Sequence, residues 1–241
     1  MGLVIKKTIA ALAIFLVVPL FIIVINWHWL PDTLNDKSEY FFWVTETASY
    51  PWAIITSIFY FILFCALLVS KTDKMLKKIV LVWLVLVSAV LSGQVIKSII
   101  KSQTAESRPY VIWITKEHNT TDQYFYSLTK PERAAFIKES LINSSTIPNW
   151  LSKHWQNETG YSFPSGHTLF AATFAFLAIV LLNFRRNYIF ISLIVIWTIL
   201  IEISRLLLGM HTPIDLILSV IIGWGIALIC YFYAKKWHIV T

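Results

Sequence analysis

Charge is scarce in this sequence. Asp, Glu, Lys and Arg make up 14% of its 241 residues, against about 25% in soluble domains, and long stretches carry none at all. With 57% hydrophobic residues and a mean hydropathy of +0.68, the chain reads as a polytopic membrane protein rather than a water-soluble globule. Cysteine is equally sparse. Cys65 and Cys230 fall inside apolar runs and read as packing thiols that say little about redox compartment. Internal repeats, low-complexity tracts and a separate soluble domain are also missing, so residues 1–241 form one membrane domain. The net charge of +7 does not point to nucleic acid, because the basic residues sit in short clusters between apolar segments.

A helix needs roughly 20 apolar residues to cross the hydrocarbon core. Six runs qualify: Thr8–Asn26, Pro51–Ser70, Ile79–Ile100, His167–Asn183, Tyr188–Leu208 and Asp215–Ala234. The fourth is short and is expected to begin below the headgroups. The first exceeds a signal-peptide core and lacks a small-residue cleavage site, so it reads as an anchor. The expected fold is all-α and integral to the membrane, with six transmembrane helices and a small helical extramembrane segment between the third and fourth. Half of all Lys and Arg (Lys6, Lys7, Lys71, Lys74, Lys77, Lys78, Arg185, Arg186, Lys235 and Lys236) fall on one side of this topology. Both termini are therefore expected to be cytoplasmic.

The long segment 101–166 then lies outside, with seven Lys/Arg against six Asp/Glu. Within it, Pro131–Leu141 predicts a short helix, with proline early and Ala134, Phe136, Ile137 and Leu141 on roughly one face. Asn119, Asn143 and Asn157 open glycosylation-type triplets that carry no meaning in a bacterial protein.

Charge at the centre of a membrane helix costs roughly 2.5–3.5 kcal/mol on insertion scales, so each polar cluster near a span needs a reason. Three stand out. Lys97 and Lys101 end the third span, ahead of Arg108-Pro109. Pro164-Ser165-Gly166-His167 opens the fourth. Ser204-Arg205 ends the fifth, and His211 and Asp215 lead into the sixth. All fall at outer helix ends. Lys101 and Arg108 supply fixed positive charge, although each alone could equally serve lipid headgroups. Ser165 is a natural N-cap, and the free N–H groups of the turn behind it suit an anion. His211 and Asp215, four residues apart, are expected on one helix face, the carboxylate orienting the imidazole. Arg205 needs an anionic partner, for which Glu202 at i−3 or a bound phosphate is a candidate. Together these groups match what phosphoryl transfer requires: cations and N–H donors for the phosphate oxygens, a nucleophile, and an acid for the leaving oxygen.

The spacings Lys101-x6-Arg108-Pro109, Pro164-Ser165-Gly166-His167 and Ser204-Arg205-x5-His211-x3-Asp215 resemble the three-part signature of the type 2 phosphatidic acid phosphatase superfamily. That group also includes vanadium haloperoxidases and bacterial acid phosphatases. Nearly the whole chain, including Trp43–Thr47 and Gly93-Gln94-x2-Lys97-Ser98, resembles the bacterial phosphatidylglycerophosphatase B type. The resemblance implies a lipid phosphate phosphatase with six membrane helices and a periplasmic site in a bacterial inner membrane. Its substrates would be phosphatidylglycerol phosphate, phosphatidic acid, lysophosphatidic acid and undecaprenyl diphosphate, the last as an alternative main role. It further implies that His211 is the nucleophile, that Asp215 orients it, and that His167 protonates the leaving alkoxide. Lys101, Arg108, Ser165, Gly166 and Arg205 would bind phosphate, with Lys97 as an accessory.

No metal or other cofactor is expected, because the surrounding Lys and Arg side chains suit an oxyanion and repel a dication. The expected partners are the lipid phosphate substrate and membrane lipids, with oligomeric state undetermined. A transporter is the competing class. It would favour charges near the midplane and symmetry between halves, which this sequence lacks.

Overall fold

A computed structural model of the chain describes residues 2–69, 74–142 and 144–240. Ser70 at the end of the second expected span, Lys71 of the charge count and the Asn143 triplet lie outside these residues. Among the described residues the fold is all-helical. Its helices are α1 (Gly2–Val24), α2 (Ser38–Glu46), α3 (Trp52–Leu68), α4 (Met75–Thr104), α5 (Pro109–Glu117), α6 (Asp122–Ser127), α7 (Lys130–Ser140), α8 (Asn149–Asn157), α9 (Gly166–Leu181), α10 (Phe184–Leu207) and α11 (Pro213–Lys236), with one 3-10 turn at Pro31–Thr33.

Four helices, α1, α4, α10 and α11, are long and apolar enough to cross a membrane. The other two expected spans are shorter, 17 residues in α3 and 16 in α9. At 1.5 Å per residue they cover only about 24–26 Å. Helix α9 is short because it is the inner helix: every residue from Thr168 to Leu181 is buried. A helix apolar on all sides is stable only when surrounded by other helices. It packs on α11, α10, α4 and α1. Gly223 of α11 permits the closest approach, since a Cβ there would lie 3.1 Å from the Thr173 backbone nitrogen. In contrast, α3 buries only Tyr60 and Phe64 and exposes Ile54, Ile55, Ile58, Phe59 and Ile62, as a lipid-facing helix does. Cys230 is buried and Cys65 half-buried, both unpaired.

The segment between α4 and α9 folds into four short helices, α5 to α8. The expected helix over Pro131–Leu141 is α7, started by a capping box between Thr129 and Glu132. These helices build a second core around Tyr110, Ile114, Phe125, Ile137, Leu151 and Trp155, which also takes in Leu208 and Met210. This outer core grips the end of α10. Trp29 and Trp155 each donate an indole N–H, at 2.9 Å, to the carbonyls of Leu207 and Leu208. Two of the carbonyls that a helix end leaves unpaired are thus satisfied. The Tyr110 N–H donates to the Gly209 carbonyl at 3.0 Å.

Gly209 adopts φ +68° just past the end of α10, and a Cβ there would meet the Trp29 ring at 2.7 Å. Left-handed backbone and lack of space both demand glycine. Gly209→Ala is expected to cost about 1–3 kcal/mol from the backbone conformation and the overlap combined. A thermal melt in detergent should show the loss, and an unchanged midpoint would refute this account of the turn.

Candidate active site

The three polar clusters converge. Helix α11 begins with Thr212 as its N-cap and Asp215 at the third position, in a capping box. Asp215 Oδ1 accepts from the Thr212 hydroxyl at 3.0 Å, while Oδ2 accepts from the Thr212 N–H at 3.0 Å and from the Ser162 hydroxyl. The same Oδ2 lies 2.9 Å from His211 Nδ1. His211 is therefore not on the helix face that its spacing suggested. It precedes the N-cap, and the carboxylate reaches it by folding back over the first turn. Because an ionised carboxylate only accepts, Nδ1 carries the proton and Nε2 keeps its lone pair. Burial, then the neighbouring charges of Arg108, Arg205 and Lys101, hold the His211 imidazole well below the usual pKa of 6.5. It is neutral at pH 7.

Ser165 caps α9, its hydroxyl accepting from the Thr168 N–H at 3.4 Å. The side chain is fully buried, so that hydroxyl is committed to the helix. The free N–H groups of the first turn remain as anion donors. The Ser219 hydroxyl ties this end to α11 by donating to the Ser165 carbonyl at 2.9 Å. Gly166 is crossed by Lys97, whose Cδ would lie 3.0 Å from a Cβ there. Lys101 Nζ donates to the carbonyls of Tyr161 and Ser162, leaving a third donor. Arg108 donates from Nε to the Gly160 carbonyl at 2.6 Å.

Arg205 does not pair with Glu202. Both carboxylate oxygens of Glu202 are buried without a partner, and the anion that meets Arg205 is Glu158, at 2.8 Å from its NH2 group. Glu158 follows α8, which tertiary folding lays across the end of α10. Its carboxylate also lies 3.3 Å from Arg108 NH1 and 3.3 Å from His167 Nε2. Burial alone would raise the Glu158 pKa, but Arg205, His167, His154 and Arg108 together hold it well below the usual carboxylate range. It is ionised.

A cleft of about 990 Å³ opens on this cluster. Lys97, Lys101, Arg108, Gly166, His167 and His211 line one end, together with Glu158; Ala53, Ile58, Phe61, Leu86, Val90 and Phe174 line the other. Ser165, Arg205 and Asp215 stand one layer behind this wall and are fully buried. The expected site residues thus all come together, six on the surface and three supporting it. No group of three or more His, Cys, Asp or Glu side chains among the described residues is placed to hold a metal ion.

The sequence profile of the PAP2 superfamily matches residues 81–239. The chain belongs to that superfamily. Three similar proteins are all named phosphatidylglycerophosphatase B. Those of Escherichia coli K12 and Shigella flexneri are each 38% identical over 96% of this chain and 89% of their own, and that of Haemophilus influenzae is 34% identical over 91% of each. This PAP2 member is accordingly a phosphatase.

Several site residues lie outside the superfamily signature, and the chain N-terminal to position 81 supplies three. Thr45 Oγ1 accepts from Arg205 NH1 at 2.9 Å, Glu46 lies 3.3 Å from His154, and Ser49 Oγ is 2.8 Å from His167 Nε2. Ser162, Glu158 and His154, whose Nε2 lies 3.3 Å from Arg205 NH1, come from the outer segment. Thr45 and Glu46 fall within the Trp43–Thr47 run that carries part of the resemblance, but nothing in the local sequence marks Ser49, Ser162 or Glu158, although Glu158 is one of only six acidic residues in the outer segment.

Asp215→Asn keeps a capping side chain but lets the wrong imidazole tautomer form. Phosphate release is expected to fall about 10³–10⁴-fold with the protein still folded. A comparison of initial rates and melting curves checks this, and a rate within tenfold of wild type would contradict the assigned tautomer.

Proposed function

We propose that this protein removes phosphate from lipid phosphomonoesters, phosphatidylglycerol phosphate foremost, through a phosphohistidine formed at His211. The observation that carries the proposal is one continuous cleft, cationic and imidazole-lined at one end and apolar at the other. A lipid phosphate has the matching two halves, and the apolar walls on α3, α4 and α9 suit acyl chains. The names of the relatives favour phosphatidylglycerol phosphate over the other lipid phosphates.

In this reading the phosphate rests on Lys101, Arg108 and the first-turn N–H groups of α9, with Lys97 beside them. Arg205 strengthens the positive potential from behind Glu158. His211 Nε2 attacks phosphorus in line, and the new N–P bond forms as the bond to the lipid oxygen breaks. His167 gives a proton to that oxygen. Water then attacks the phosphohistidine, His167 takes its proton back, and inorganic phosphate leaves. Asp215 stabilises the positive charge that His211 acquires. The donors around the site are cations, which suit an oxyanion and not a dication, so the reaction needs no metal.

The proposed topology has six spans, with α3 and α9 as short crossings, both termini cytoplasmic and the cleft at the periplasmic face of a bacterial inner membrane. Support comes from the opposite end of the bundle. There Lys7 sits over the Phe184 ring at 5.8 Å, so the basic N-terminal turn and Arg185 and Arg186 in the first turn of α10 share one surface, as the positive-inside rule asks.

His211→Ala is expected to abolish phosphate release from phosphatidylglycerol phosphate and phosphatidic acid in detergent; turnover equal to wild type would reject the mechanism. EDTA should leave the rate intact, and metal-restored activity after chelation would count against it. The pH profile should be bell-shaped. His211 must be neutral, and its lowered pKa places the acid limb below pH 6.5; His167 must be protonated, which sets the alkaline limb. An acid limb above pH 6.5 would contradict the environment of His211.

A further inference from the structure

Two imidazoles with opposite protonation demands share one small site. His211 has to be neutral and is served by Asp215 on Nδ1, which leaves Nε2 open. His167 has to carry a proton, and it faces Arg205, Arg108 and His154, with Lys97 crossing the neighbouring Gly166. An imidazolium among so many cations is unfavourable unless an anion stands beside it. The only carboxylates facing this cluster among the described residues are Glu158 and, beyond His154, Glu46.

We propose that Glu158 is the positioning residue of the proton donor, pairing with His167 as Asp215 pairs with His211. Its Oε1 lies 3.3 Å from His167 Nε2, while Oε2 is anchored by Arg205 at 2.8 Å and Arg108 at 3.3 Å. The two guanidinium groups keep this carboxylate ionised and fix its direction. With Nε2 held by Glu158 and by the Ser49 hydroxyl at 2.8 Å, the other ring nitrogen, Nδ1, has no hydrogen-bond partner among the described residues, and His167 lines the cleft. The proton for the leaving oxygen therefore departs from Nδ1. In the second half-reaction Nδ1 takes a proton from the attacking water, and Glu158 stays ionised throughout. The residue touches no substrate atom in this scheme. It acts through His167, and it belongs to none of the three signature clusters.

This rests on the histidine mechanism proposed above, and the test separates the two. The purified full chain would be assayed in detergent on phosphatidic acid, whose alkoxide must be protonated on leaving, and on an alkyl-chain-bearing nitrophenyl phosphate, whose phenolate needs no proton. In Glu158→Gln, turnover of phosphatidic acid at pH 7.5 is expected to fall about tenfold or more, and the alkaline limb of kcat/KM to move about one pH unit lower, with the aryl ester changed less than about threefold. Glu158→Asp keeps the charge and should recover part of both losses; it also serves if the Gln variant fails to fold. Equal losses on both esters, or Asp no better than Gln, would make the residue merely structural and overturn the proposal. Tighter binding of inorganic phosphate with an unmoved alkaline limb would mark Glu158 as an internal anion that substrate displaces, and would overturn it as well. His211→Ala should abolish turnover of both esters. Activity surviving there would reject the histidine chemistry itself, whatever Glu158 does.

Discussion

A single carboxylate, Asp215, connects the fold to the chemistry. It accepts from Thr212 to start α11, from the hydroxyl of Ser162 at the end of the outer segment, and from His211. A helix start satisfied in this way has no freedom to rotate without losing its cap. The His211 imidazole thus takes its orientation from the same hydrogen bonds that start α11. Ser219, one turn further along, extends this arrangement by fastening α11 to the start of α9.

Around that centre the site keeps its cations in place by giving each an internal partner. Lys101 donates to carbonyls of the loop ahead of Ser165, Arg108 to Gly160 and Glu158, and Arg205 to Thr45 and Glu158. Removing one member of a buried ion pair typically costs about 3–5 kcal/mol, because it strands the other charge. The cluster is therefore rigid as well as electropositive. Preorganised donors of this kind need little rearrangement when charge develops on a transferring phosphoryl group.

The outer core has a mechanical part in this design. Trp29 and Trp155 close the end of α10, and Tyr110 holds Gly209 from the other side. The loop that carries His211 is thus clamped between the membrane bundle and the helices above it. The long outer segment supplies α8 and with it His154 and Glu158, so it completes the site instead of merely covering it.

The helical class, the six apolar helices (four of them long enough to cross a membrane) and the three motif clusters were readable from the amino-acid pattern, because apolar run length and local charge report directly on where buried or lipid-facing helices form. So were the cap at Ser165 and the start of α7, which depend on neighbours within four residues. What the pattern could not disclose was every partner brought from a distance. Arg205 meets Glu158, 47 positions earlier, and not Glu202 on its own helix; Ser49 reaches His167 across 118 positions. Sequence separation carries no information about such contacts, since they arise only when α2, α8 and α10 pack. The cleft is likewise a product of packing, lined by residues of α3, α4 and α9 that come together only in the folded chain. Chemistry-bearing residue types belong to the sequence; which carboxylate serves which cation, and where a lipid can enter, belong to the tertiary fold.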